Sequence, residues 1–594
     1  TIKLLDHNGE LTNTAFSIYG TPRGALKTNP RISDSTGITN VVISPGSRNA
    51  PLTIGFSEHS DIKAYSIVDE RCAAFLALGM AQQLKQPVVL VCTSGSALLN
   101  YYPAIAEAFY SDIPLVVISA DRPVERIDIG DGQTIRQKNV YGNHILYSAN
   151  LYSEAVLEEH PKDIKLQQKQ WESHRHNEQE INKALNTAIE EQGPVHINVP
   201  FYEPLYDTVS ETSLEPFKVS PDVREKSVTE DELSRYTKIW NSSQRKLILI
   251  GVQDPNTIEQ QFLDAFAKDE SVIVMTETTS NVHHPNFFPS IDTIIAPIEQ
   301  QDSKEELFKA LQPEILLTFG GLIVSKKIKA FLRTYQPKHH WHVDPKKAYD
   351  TYFCLEKHFE YSPNTFLTTF SSLTKPVKSN YFEFWNAIKI ERLRFQRDYE
   401  DSVPFSDFSA YKCLLEKLPN NSLVHLSNSS TIRYAKLFQL NKTIDVFCNR
   451  GTSGIDGSTS TAIGASLVSK KQTILITGDL SFFYDSNALW NAYIPSSFRI
   501  ILINNNGGGI FRILPGHEDT ETFNTYFETT HNLTAKQLCE MYNLKYENAT
   551  STEEIQHSLE TFFDEADAPK LLEIFTPRII NDKVLKGYFK HLKS

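Results

Sequence analysis

Short runs of β-branched and other apolar residues recur along the chain, each ending in small or turn-forming residues. ITNVVISPG, PVVLVCTSGSALLN and IPLVVISADRP open the series. Continuous apolar runs of this length are the mark of strands buried on both faces of a parallel sheet, with loops at their carboxyl ends. This first series closes at VHINVPF, near residue 200. From Glu203 to about Thr229 the text is polar, with Pro and Ser and little apolar periodicity, and reads as a linker.

A second series follows. KLILIGVQDP, SVIVMTE, PEILLTFGG and HWHVDP read as strands, while QQFLDAFAKD and KEELFKALQ carry the period of amphipathic helices, up to about residue 370. After SSLTKPVKSNY a third series has strands at SLVHLS, TIDVFCN, TILITGD, RIILINNN and KLLEIFT. The pattern predicts an α/β fold of three domains, each a mainly parallel sheet flanked by helices. The expected boundaries are 1–202 for the first domain, 203–372 for linker and middle domain, and 373–594 for the third. A site built between the first and third domains is the natural expectation.

Composition narrows the class. A chain of 594 residues exceeds what one core serves. With 40% apolar residues, 34 Phe and 25 Tyr there is ample material for packed cores. The net charge of -13, without a long basic run, argues against a nucleic-acid partner. Cysteines 72, 92, 354, 413, 448 and 539 form no close pair, so neither a zinc ribbon nor a disulfide framework is suggested, and a reduced, cytoplasmic setting is expected. No apolar run reaches the roughly 18 to 20 residues of a membrane span, and TIKLLDHNGELTN lacks the layout of a signal peptide.

The richest chemistry begins at Gly478. The strand TILIT delivers Gly478 and Asp479 to its carboxyl end, and RIILI delivers Asn504, Asn505, Asn506 and Gly507 beside it. Open parallel sheets bind ligands at that edge. The Asp479 carboxylate, the Asn505 amide oxygen and the Gly507 carbonyl are hard donors suited to Mg²⁺, which takes few protein ligands and completes its shell with phosphate and water. The glycine-rich turn lets backbone N–H groups approach a diphosphate. Either motif alone is also compatible with an ordinary capped strand turn; their joint spacing favours the ligand.

A Gly-Asp pair followed by a strand and Asn-Asn resembles the signature of thiamine-diphosphate enzymes, which are built from pyrimidine-binding, middle and diphosphate-binding domains. Leu480 stands where that signature usually has a second glycine. Such enzymes hold a Glu against the N1′ atom of the cofactor's aminopyrimidine to promote its reactive tautomer. By the resemblance that residue is Glu70, in SIVDERCAAFLALGMA, which follows a short strand and opens a helix of small residues.

Within these enzymes the chain is similar to the 2-succinyl-5-enolpyruvyl-6-hydroxy-3-cyclohexene-1-carboxylate (SEPHCHC) synthase family of menaquinone biosynthesis. The motifs are ISPGSRNAPL (43–52), VDER (68–71), TSGSALLN (93–100), ADRP (120–123), GQTIRQ (132–137), CNRGTSGIDG (448–457), GDLS (478–481) and NNNGGGIFRILP (504–515). The resemblance implies a thiamine-diphosphate- and Mg²⁺-dependent transferase, with Mn²⁺ a possible substitute. It decarboxylates 2-oxoglutarate and adds the succinyl unit to isochorismate in a Stetter-like 1,4 fashion.

Both substrates are polyanions, so bidentate arginines are their natural partners. The family pattern assigns Glu70, Arg450 and Gln133 to catalysis. It assigns Ser427, Asn428, Ser429, Gly454, Ile455, Gly478, Asp479, Leu480, Ser481, Asn505, Gly507, Ile510 and Phe511 to the cofactor, with Ile455 wedged beneath it. Ser429 and Arg433 would hold the succinyl carboxylate, with Ser47 and Arg48 nearby; Arg122, Gln133, Lys326, Lys327, Phe511 and Leu514 would face isochorismate. A homodimer or homotetramer is implied, with sites shared between subunits.

Three features depart from the family. Residues 1–37 are polar where relatives have an amphipathic helix, Lys327 replaces a common Arg, and Gly132 replaces a common Asn. Two other enzyme or binding readings stay open at this stage: an acetohydroxyacid-synthase-like carboligase, and a catalytically silent sensor of the cofactor or a metabolite. His283 with His284, and HHWH at 339–342, lack partnering acids in a metal-binding spacing and read as structural. The run Gly507 to Gly509 follows no first-strand dinucleotide pattern.

Overall fold

The computed structural model describes residues 25–26, 38–153, 164–203, 205–206, 208–209, 217, 219–222, 226–514, 516 and 518–593. The expected N-terminal departure over 1–37, apart from Ala25–Leu26, and about half of the expected linker lie outside these residues. Three parallel sheets account for the architecture, with a two-residue parallel pairing of Ala25–Leu26 and Thr208–Val209 besides.

The first sheet contains β1 (Asn40–Ile43), β2 (Lys63–Ser66), β3 (Val88–Cys92), β4 (Leu115–Asp121), β5 (Tyr147–Asn150) and β6 (Val195–Pro200), in the order β2-β1-β3-β4-β6-β5. The middle sheet has β7 (Lys246–Ile250), β8 (Val272–Thr276), β9 (Ile315–Phe319), β10 (His339–Val343) and β11 (Leu355–Phe359), in the order β8-β7-β9-β10-β11. The third has β12 (Leu423–Leu426), β13 (Asp445–Phe447), β14 (Thr473–Gly478), β15 (Arg499–Asn504), β16 (Lys545–Ala549) and β17 (Lys570–Phe575), in the order β13-β12-β14-β15-β17-β16. First and third sheets therefore share one strand order.

The continuous apolar runs are explained by cover on both faces. In the middle sheet Ile248, Ile250, Ile315 and Leu317 face one core, and Leu247, Leu249, Ile273 and Leu316 face the other. Successive side chains of a strand point to opposite faces, so both parities must be apolar when neither face is wet.

By packing, the chain forms two compact units. One gathers residues 1–224, 449–470 and 484–498; the other 225–448, 471–483 and 499–594. In the first unit, helix α1 (Glu70–Leu84) lies against helix α2 (Ser458–Val468), which comes from the sequence between β13 and β14. Small residues permit this approach. A Cβ on Gly79 would stand 2.0 Å from the Thr461 carbonyl oxygen, and one on Gly464 1.9 Å from that of Leu76.

His340 and His342 of β10 both meet the Thr318 hydroxyl, at 3.1 and 2.8 Å. Burial pushes each imidazole down to about 4, which keeps them neutral there.

Candidate active site

In the first unit, β2 leads through Asp69 into α1. The Asp69 side chain accepts the Cys72 N–H at 3.1 Å and the Asn487 amide at 2.8 Å, a helix cap that fixes where Glu70 leaves the backbone. Glu70 is half-buried and accepts a hydrogen bond from Asn100 Nδ2 at 3.2 Å. A second strand-end cluster joins three expected residues or motifs: Arg122 Nη1 donates to Ser94 Oγ at 3.0 Å and to the Gln133 carbonyl at 3.2 Å, while Ser94 donates to that carbonyl at 2.9 Å. Gln133 has a positive φ of 52°. Arg48 is buried and already engaged, donating to the Phe201 carbonyl at 3.1 Å and to Glu203 at 2.9 Å; Ser47 beside it is exposed.

The segment with Arg450, Gly454 and Ile455 also lies in this unit, all three half-buried. Its anchor is Glu107, buried on helix Tyr102–Ser111. Its carboxylate accepts the N–H of Gly451 at 2.7 Å, the N–H of Thr452 at 2.6 Å, and the Thr452 and Ser111 hydroxyls at 2.8 Å each. A buried carboxylate is tolerated because every lone pair is used. Asp485 does similar work at the start of α2, accepting the Ser460 N–H at 2.7 Å and its hydroxyl at 3.0 Å; burial pushes its carboxyl up to about 6.

In the second unit, β14 and β15 run side by side with Gly478 opposite Ile503, so their carboxyl ends bring Asp479 beside Asn505 and Gly507. Asp479 is buried; Oδ1 accepts the Leu480 N–H at 2.7 Å and Oδ2 the Gly507 N–H at 2.9 Å, with His531 Nε2 at 3.4 Å from Oδ2. Asn505 is buried and its Nδ2 donates to Asp407 at 2.9 Å, which turns the amide oxygen away from that carboxylate. Asp407 also accepts from the Thr576 hydroxyl at 2.5 Å. Burial pushes its carboxyl up to about 6, with these donors and Asn581 opposing the shift.

Gly507 has φ 147°, and a Cβ there would stand 2.7 Å from the Glu528 carbonyl oxygen, which accepts the Gly508 N–H at 2.6 Å. Glu528 in turn is clamped by Arg512, 2.6 Å from each carboxylate oxygen, and by Arg578 at 2.7 Å. Leu480 and Phe511 flank Gly508, Ile510 opens the next short helix, and Leu514 beyond it is exposed.

Ser427 and Asn428 are buried at the end of β12; the Ser427 hydroxyl donates to Thr477 at 2.7 Å, and Asn428 Oδ1 faces Cys448 Sγ at 3.4 Å. Ser429 adopts φ 66° and ψ -124°, a conformation costly for a residue with a Cβ, directly before the helix that carries half-buried Arg433. Lys326 is exposed at the start of helix Lys326–Thr334, and Lys327 is half-buried and ion-paired with Glu299.

Each unit thus assembles one set of the expected residues. Glu70, Arg122, Gln133, Arg450 and Ile455 belong to the first; Asp479, Asn505, Gly507, Ser429, Arg433 and Lys326 to the second. Glu107, Asp407, Glu528 and His531 are the residues that the sequence reading did not single out. Glu107 left a trace, an acid on a helix face otherwise apolar through Ala104, Ile105 and Ala108.

The metal-side donors fit a hard divalent cation and a diphosphate: one carboxylate, one amide whose nitrogen is claimed elsewhere, and a glycine turn that no Cβ could enter. Among the described residues no group of three or more His, Cys, Asp and Glu side chains forms a competing metal centre.

Comparison with known proteins agrees with this arrangement. The N-terminal binding domain of thiamine pyrophosphate enzymes matches residues 31–141, their middle domain 220–390, and their C-terminal binding domain 428–574. The solved structure of benzoylformate decarboxylase from Polynucleobacter necessarius superposes with a TM-score of 0.64 at 15% identity, over 91% of this chain and 96% of the other, a likeness of fold. Fold and site together define a thiamine-diphosphate-dependent enzyme.

Relatives named 2-succinyl-5-enolpyruvyl-6-hydroxy-3-cyclohexene-1-carboxylate synthase are more specific. That of Christiangramia forsetii is 64% identical over 94% of this chain and 96% of its own. That of Flavobacterium johnsoniae is 55% identical over 94% and 97%, and that of Bacteroides thetaiotaomicron 35% identical over 94% and 97%. The chain belongs to the SEPHCHC synthase family.

Proposed function

We propose that the protein is a thiamine-diphosphate- and Mg²⁺-dependent carboligase that releases CO₂ from 2-oxoglutarate and joins the remaining succinyl unit to isochorismate, giving SEPHCHC for menaquinone biosynthesis. The observation that carries the reading is the convergence of Asp479, the oriented Asn505 amide and the Gly507 turn on two adjacent strand ends. In this reading Asp479, Asn505 and the Gly507 carbonyl hold Mg²⁺, and the backbone of the glycine turn and Ser429 to Ser430 receive the diphosphate. Bound thiamine diphosphate supplies the carbon nucleophile and electron sink that decarboxylation requires.

The chain's own residues do the rest. Glu70 would hold a proton at the aminopyrimidine N1′, Ile455 would pack against the cofactor, and Arg433 with Ser429 would orient the distal carboxylate of 2-oxoglutarate. Arg122, Gln133 and Lys326 would receive isochorismate, and Arg450 would act in the joining step. Lys327, engaged by Glu299, acts with less freedom than Lys326. The functional assembly is a homodimer, or a pair of such dimers, in which one subunit's Glu70 set and its partner's Asp479 set serve the same cofactor.

The test is product formation. Purified protein with thiamine diphosphate, Mg²⁺, 2-oxoglutarate and isochorismate should give SEPHCHC by mass spectrometry, and Glu70→Gln should lower the rate at least about a hundredfold. Turnover with pyruvate in place of 2-oxoglutarate, and none with the dicarboxylate, would overturn the substrate assignment.

A further inference from the structure

Two segments that the functional reading gives to different substrates are tied together by buried charge. Helix Lys326–Thr334 begins with two lysines, an unfavourable place for cations because the helix N-terminus already carries positive partial charge. Acids behind it offset this. Glu277, buried, accepts the N–H of Val324 at 2.6 Å and of Ser325 at 2.7 Å. The Ser325 hydroxyl accepts the Ile328 N–H at 3.1 Å and donates to Asp292.

The other oxygen of Asp292 holds Lys436 Nζ at 2.5 Å. Lys436 caps the C-terminal end of helix Ser430–Ala435, which carries Arg433. Its neighbour Ala435 accepts from the Thr278 hydroxyl at 3.4 Å, one residue from Glu277. The two lysine- and arginine-bearing helices thus start and stop on one chain of contacts. Ser325, Glu277 and Lys436 are 0%, 4% and 6% exposed and Asp292 is partly buried, so water has little access to these links.

We propose that Asp292 and Lys436 are positioning residues that set the distance between Lys326 and Arg433, so that one buried ion pair governs the binding of both substrates. The inference rests on the function proposed above. A buried pair of this kind seldom adds net stability over an apolar replacement, but it admits one geometry, and loss of either partner strands a charge. Misplacement by a fraction of an ångström is enough to weaken two anion sites together.

The test is steady-state kinetics of the cofactor-loaded enzyme with each substrate varied in turn. Asp292→Asn should raise KM for 2-oxoglutarate and for isochorismate, each about tenfold, with a smaller change in kcat. Lys436→Met should do the same, the double variant should be no worse than either single one, and Lys436→Arg should restore both KM values toward wild type. If Asp292→Asn is not folded by its melting curve, Ser325→Ala, which removes one hydroxyl link, should still raise both KM values.

An active wild type whose variants keep both KM values, or change one only, would overturn the proposal. A wild type that gives no SEPHCHC condemns the functional reading instead. The bridge then stands or falls on whether the melting-temperature losses of Asp292→Asn and Lys436→Met are non-additive.

Discussion

An amide can serve a cation only if its nitrogen is held elsewhere, since Asn can turn either end toward a ligand. Asp407 supplies that hold for Asn505, at a cost, because it is a buried carboxyl pushed up to about 6, with the Thr576 and Asn505 donors opposing the shift. Asp407→Asn should therefore raise the Mg²⁺ concentration for half-maximal activity by about 10- to 100-fold, the usual size of an effect transmitted through a ligand's own partner. Titrating Mg²⁺ at saturating thiamine diphosphate checks this, and an unchanged midpoint would assign Asp407 to packing alone.

Asp407 was not legible in the sequence. Its partners stand at 505, 576 and 581, and no local pattern links SDFSA to RIILINNN. Glu107, which holds the loop beginning at Arg450, was hidden for the same reason. Asp479, Asn505 and Gly507 were legible because their residue types and strand-end setting lie in one stretch of chain.

At the scale of elements, the pattern predicted every interior strand, together with the edge strands β8 and β13. β5, β11 and β16, which it did not mark, are all edge strands, with the sequences YSAN, LEKHF and KYENA. These three are paired on one side and partly wet, so they carry no continuous apolar run, whereas the edge strand β8, VIVMT, is buried throughout and does. The packing of α1 on α2 was equally invisible, for it depends on glycines in two segments far apart in sequence.

That packing gives a paired prediction. Gly79→Ala or Gly464→Ala would place a methyl about as close to a carbonyl oxygen as a covalent neighbour, so the helices must part, with a loss of about 1 to 3 kcal/mol or more. Gly55→Ala, in helix Ala50–Ser57 with no atom within 4 Å of the new Cβ, should instead stabilise by about 0.5 to 1 kcal/mol. Chemical denaturation of the three variants separates the effects. Equal gains at all three positions would show that helix propensity and not the crossing decides.

For the whole molecule, the shared strand order of the first and third sheets places each residue set at the carboxyl ends of a similar frame. In the proposed function Glu70 would serve one end of the cofactor and Asp479 the other, so both sets would be required for turnover. A symmetric dimer can meet that need reciprocally, each subunit lending its Glu70 set to its partner's Asp479 set.

Co-expression tests this without any knowledge of the interface. Glu70→Gln and Asp479→Asn should each be nearly inactive when alone. Random mixing makes half the dimers heterodimers, and in these one site of the two receives both damaged residues while the other receives neither. The mixture should therefore recover on the order of a quarter of wild-type activity. If each site drew both residues from a single chain, every site in the mixture would carry one substitution, no activity would return, and the reciprocal dimer would be refuted while the chemistry assigned to Glu70 and Asp479 remained.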